Sequence, residues 1–170
     1  MIKDILVSLF HFIILVFCQI FLLNNIYFLG FINPMLYVWF IILLPFATPN
    51  WLVLILSFIL GVSVDIFSAD AGFNAFICTL TGFIRPMLLN FFSGNVDNVT
   101  HTRPSSVSLG VKNFLLFTSS VVLIHHFLYF FISAFSFNEI LQILLRSVLS
   151  SVVTIGLIIL LDMVFFKKNE

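Results

Sequence analysis

An all-α integral membrane protein with about six transmembrane helices is the fold class this sequence predicts, on three observations. Hydrophobic residues make up 62% of its 170 positions and charged residues 8%, with a mean hydropathy of +1.24. Soluble domains carry about 25% charged residues, so a chain this poor in charge is surrounded mostly by lipid. Apolar runs also recur at the length a bilayer requires, about 17–25 residues. Finally, Lys and Arg fall in alternate connections, as the positive-inside rule demands.

The runs follow in order. The first, 5–23, comes after Lys3. It is longer than the ~7–15-residue core of a signal peptide, and no small-x-small cleavage site follows before Asn24, so it reads as a retained helix. The second, 34–47, is short. A helix starting at Pro34 reaches only ~20 Å at 1.5 Å per residue, against a core of about 30 Å. It is therefore tilted inward, re-entrant, or preceded by irregular backbone packed on protein. The third and fourth runs are 49–67 and 72–92, and the fifth and sixth are 114–135 and 137–166. Together they make one multi-span domain. Asn33-Pro34 and Thr48-Pro49 each put a capping residue before a proline suited to the first helical turn. Ser136-x-x-Glu139 reads as a capping box opening the sixth run, and Asp70 or Ser68 can cap the fourth.

Only one connection, 93–113, is long and polar; it holds Asp97, His101, Arg103 and Lys112. With six crossings Lys3, Arg103, Lys112, Lys167 and Lys168 all share one side, so both termini are expected to be cytoplasmic. Net charge is zero, which gives no reason to expect nucleic acid as a partner. Cys18 and Cys78 lie inside apolar runs, which favours buried thiols over a disulfide, and their spacing fits no zinc motif.

Charges within apolar runs cost roughly 2.5–3.5 kcal/mol each on insertion scales, so each needs a reason. Asp65 lies near the outer end of the third run. Arg85, beside Pro86, either lines a polar cleft or snorkels to the inner interface. Arg146 shares a face with Glu139 and Gln142 on the long sixth run, which places it at the depth of Asp65, and the two are expected to pair. Asp162 is expected at the inner interface, snorkelling or paired with the lysines that follow. His125 and His126 point about 100° apart on a helix and so do not converge on one ion. Ser8, His11 and Gln19 fall on one arc and read as an inter-helix hydrogen-bonding stripe. Ser147, Ser150, Ser151, Thr154 and Gly156 allow close helix approach. No nucleotide, kinase or zinc-hydrolase motif occurs, and nothing in the sequence requires an enzyme, a metal or a cofactor.

Several stretches taken together resemble a known family. They are Pro34-Met35-Leu36-Tyr37 leading to Leu43-Leu44-Pro45, then Leu60-Gly61-Val62-Ser63-Val64-Asp65, then Gly72-Phe73-Asn74-Ala75. In this order, on this span pattern and at this length, the chain resembles the rod-shape-determining MreD family of bacterial inner-membrane proteins. The G-x-x-x-D element with a glycine seven residues on is the most specific part. The resemblance implies a non-catalytic component of the cell-wall elongation machinery. Its partners would be MreC and, through it, MreB, RodA and a class B penicillin-binding protein. It also implies a fold similar to the six-helix substrate-binding subunits of energy-coupling-factor vitamin transporters. Gly61, Asp65 and Gly72 carry over as motif positions only. The alternative is a substrate-binding subunit of a small-molecule transporter, with Asn24, Asn25, Tyr27, Asp70 and Asn74 as its outward-facing polar groups.

Overall fold

A computed structural model describes residues 2–23, 32–68, 72–93, 103–134 and 139–166. All the regular structure among them is helical. Helix α1 spans Ile2–Phe21, α2 Val38–Leu43, α3 Asn50–Ser68 and α4 Phe73–Ser93. Helix α5 spans Ser106–Leu109, α6 Val111–Ala134 and α7 Ile140–Phe166. Four of these, α3, α4, α6 and α7, are long and apolar enough to cross a membrane. Only 28–39% of the residues in their most apolar stretches are buried inside the protein. The remaining faces are apolar yet exposed, Ile66, Phe83, Phe91, Val111 and Val164 among them. A surface of this kind is compatible with a multi-pass membrane protein and would aggregate in water. Helix α1 is apolar over the shorter stretch Leu6–Phe21.

The four long helices begin and end within three residues of the expected runs. The largest departure is in the second run. No helix begins at Pro34, and the Asn33-Pro34 pair caps nothing: the backbone N–H of Asn33 donates to Ser150 Oγ at 3.0 Å. The chain runs without regular structure up to Leu36, and only Val38–Leu43 is helical. Every residue from Met35 to Leu44 is buried, Val38, Ile41, Ile42 and Leu43 completely. This segment is thus the centre of the bundle, with α1, α3, α4 and α6 packed around it.

Backbone of this kind is tolerated in an apolar interior only if its polar groups find partners, and side chains from the surrounding helices supply them. Gln19 of α1 uses both ends of its amide. Its Nε2 donates to Pro34 O (3.1 Å) and its Oε1 accepts from Leu36 N (2.8 Å). Thr154 of α7 accepts from Met35 N at 3.2 Å. At the far end Arg85 of α4 donates to Leu44 O, and Arg103 donates to Leu43 O at 3.4 Å.

Helices α3 and α4 form an antiparallel hairpin, the most extensive helix pairing among the described residues. The helix start expected at Thr48-Pro49 is found one residue on: Pro49 O accepts from Leu52 N and Val53 N, and α3 begins at Asn50. A short helix unforeseen in the polar connection, α5, starts with a capping box in which Ser105 and Ser108 bond each other's backbone N–H. Asp70, Asp97, His101, Ser136, Lys167 and Lys168, and with them the Ser136 capping box and the Asp70 cap, lie outside the described residues, as do Asn24, Asn25 and Tyr27.

Candidate functional site

The motif residues of α3 and α4 meet in one clasp. Gly61 faces the first turn of α4 so closely that a Cβ there would overlap the backbone of Asn74 and Ala75. One turn further along α3, Asp65 is 5% exposed and directs its carboxylate at the start of α4. Its Oδ1 accepts from Asn74 N (2.8 Å) and Asn74 Nδ2 (2.9 Å), and its Oδ2 accepts from Ala75 N (2.8 Å). Gly72, just before α4, has φ +83°, a conformation other residues rarely adopt, and it has no side chain with which to cap the helix. Asp65 performs the capping from the neighbouring helix instead. Its negative charge sits where the helix dipole and the free N–H groups favour an anion.

This corrects the expected ion pair. All of Asp65's hydrogen bonds go to α4 and none to Arg146. Arg146 lies half-buried on α7, with Glu139 and Gln142 of the same face exposed. The helix terminus wins because it offers two backbone donors held rigidly beside the carboxylate, whereas a long guanidinium side chain would have to be ordered to compete.

From the clasp a buried hydrogen-bonded chain runs into the bundle. Tyr37 Oη lies 3.1 Å from Asn74 Oδ1 and 3.0 Å from His125 Nε2, and His125 Nδ1 lies 2.9 Å from Thr81 Oγ1. The amide oxygen of Asn74 can only accept, so Tyr37 donates to it. The Thr81 hydroxyl also donates to Ile77 O one turn back, at 2.8 Å. His126 Nδ1–H donates to Val122 O at 2.9 Å, an acceptor only, and its Nε2 meets Thr154 Oγ1 at 3.2 Å. The two adjacent histidines therefore reach different helices. No group of three or more His, Cys, Asp or Glu side chains able to hold a metal occurs among the described residues.

The opposite end gathers the cations. Arg85 is 1% exposed, so of the two expectations for it, snorkelling is not realised. Its guanidinium reaches the end of α2 at Leu44 O, where a cation complements the exposed carbonyls. Arg103 spans from Leu43 O to Ser8 Oγ of α1, the latter at 2.9 Å. Asp162 is drawn into the bundle, and the lysines expected beside it, Lys167 and Lys168, lie outside the described residues. Asp162 is 1% exposed and accepts from Ser106 N at 3.2 Å, anchoring the first turn of α5 to α7. Ser147, Ser150, Ser151 and Thr154 all face the interior as the spacing implied, but Gly156 is exposed and a Cβ there would meet nothing within 4 Å.

Sequence reasoning named Gly61, Asp65, Gly72, Arg85 and Arg146, and the structure brings the first three together. It passed over Thr81 and undervalued Tyr37, Asn74 and Arg103 as structural partners. A signal for the clasp was present, namely a helix start with glycine at its cap and a carboxylate one turn from the end of the preceding helix. Compared with known proteins, the chain matches no family model, no curated protein and no solved structure.

Proposed function

We propose that this chain is a non-catalytic membrane scaffold of the MreD type. In this reading it crosses the bacterial cytoplasmic membrane six times, keeps both termini in the cytoplasm and serves cell-wall elongation by holding partner proteins. The observation that carries the reading is the clasp itself. The residues on which the resemblance rests, Gly61, Asp65, Gly72 and Asn74, come together from two helices. Their polar groups are engaged in joining α3 to α4 and in orienting Tyr37. His125 and His126, side chains able to act as a general base, are likewise tied to bonds with other helices. A body whose chemistry is used internally and whose outer faces are apolar is suited to binding other membrane helices.

Six crossings are supported by the direction of the buried segment. It starts beside Gln19 and Ser150 and ends beside Arg85 and Arg103. Extended backbone advances ~3.3 Å per residue against ~1.5 Å in a helix, so residues 33–44 reach roughly 20–25 Å despite the short helix. With α1 antiparallel to it, the basic residues then share one side.

The test is to purify the tagged chain from its native membrane in mild detergent and identify what accompanies it. MreC is the expected partner, and depletion of the chain is expected to round the cells. Recovery of transporter ATPases, with loss of a vitamin's uptake and unchanged cell shape, would replace the scaffold with the substrate-binding alternative.

A further inference from the structure

A crevice opens on the side of the bundle where α1 and α3 part. Phe12 and Leu56 form its walls, Phe40 and Leu44 of the buried segment form its floor, and it encloses about 530 Å³. It is open sideways, since Leu9 and Ile59 on its rims are 53% and 46% exposed. Its long axis runs from Thr48, just before α3, to Ile59. Those residues lie about 14–17 Å apart at ~1.5 Å per residue, close to half of a ~30 Å hydrocarbon core. The slot is therefore one leaflet deep.

Its polarity is confined to one end. Ser8 and Thr48 are the polar residues lining it, and Ser8 sits at the end where Arg85 and Arg103 bond Leu44 O and Leu43 O. There Ser8 Oγ accepts from the half-buried Arg103, whose guanidinium also bonds Leu43 O. A cation thus stands at the headgroup end of an apolar slot of acyl-chain depth. Guanidinium groups recognise phosphate strongly. A cation at that level also attracts anionic lipid from the surrounding leaflet.

We propose that this crevice binds an anionic glycerophospholipid, with one acyl chain lying between α1 and α3 and its phosphate on Arg103 and Ser8. The lipid completes the α1–α3 seam, which the protein itself leaves open. The site does not depend on the scaffold reading.

The full chain, purified in detergent, is exposed to phosphatidylglycerol and phosphatidylcholine with identical acyl chains, and retained lipid is counted by native mass spectrometry. The wild type is expected to retain the anionic lipid about fivefold over the zwitterionic one, the discrimination of a single cation near a lipid surface. Arg103→Gln brings the ratio to about one, whereas Arg103→Lys keeps most of it. Ile59→Trp, which fills the slot from its rim, lowers retention of both lipids while leaving Arg103 in place. If Arg103→Gln does not fold, the Lys and Trp variants decide. Equal retention by the wild type overturns the proposal, as does a preference that survives both Arg103→Gln and Ile59→Trp. A photoreactive side chain at position 59 that attaches in cells to a polypeptide instead of a lipid would assign the crevice to a partner helix and likewise overturn it.

Discussion

At the scale of single residues, Asp65 and Gly61 do different work on the same joint. Asp65 supplies acceptors for two backbone N–H groups that the glycine at the start of α4 cannot satisfy. Replacing it with Ala leaves both donors buried and unbonded, and about 2–3 kcal/mol of stability should be lost. Asn keeps one carbonyl oxygen, so Asp65→Asn should cost about 1 kcal/mol. Because Arg146 is not its partner, the Asp65→Asn/Arg146→Gln double variant should show additive losses, with coupling below about 0.5 kcal/mol. Unfolding titrations in mixed micelles measure all of these; a coupling well above that value would restore the ion pair. Gly61→Ala should cost about 1–3 kcal/mol, since its Cβ meets backbone that cannot rotate away. Gly82→Ala meets the Ser57 side chain instead and should be substantially rescued by Ser57→Gly. Equal costs at the two glycines, with no rescue, would remove this distinction.

At the scale of elements, the buried segment 32–44 depends on groups supplied by its neighbours. Gln19→Met is nearly isosteric yet leaves Pro34 O and Leu36 N without partners, and a loss of about 2–4 kcal/mol is expected. Tyr37→Phe removes a side-chain hydroxyl and should cost about 0.6 kcal/mol and no more than ~1.7, the mean and maximum of measured polar contacts within membranes. The order of these two variants in thermal unfolding is the check, and a more harmful Tyr37→Phe would mean that the Tyr37–His125 link supports the bundle more than the Gln19 bridge does. This element was the least legible in the sequence. The Asn33-Pro34 signal for a helix start is a local preference, and it lost to Ser150, Thr154 and Gln19, which satisfy an extended backbone from α7 and α1. Those residues were visible as a polar stripe and a serine-rich face, but which backbone they serve depends on contacts more than 100 residues apart for α7.

At the scale of the whole molecule, the placement of its ends is testable with single cysteines and an impermeant thiol reagent in intact cells. Ser105 falls in the long polar connection but is 3% exposed within its capping box, so failure to label there would say nothing about sidedness. Val107, 57% exposed on α5, is the better probe, paired with Phe67, 62% exposed at the end of α3. Cysteine at Phe67 should react from outside and cysteine at Val107 only after permeabilisation; the reverse pattern would invert the orientation. What the sequence by itself determined is the solvent and the long helices. Charge scarcity and apolar runs of bilayer length are sums over many residues, and such sums survive any rearrangement of neighbours. The tertiary structure alone decided the partners of the polar groups. Asp65 bonds a helix terminus and not an arginine, Asp162 caps α5, and Arg85 and Arg103 hold the end of α2. In an apolar interior a polar side chain binds whichever donor or acceptor stands within about 3 Å, and which group stands there is set by how the helices pack, not by the spacing of residues along the chain.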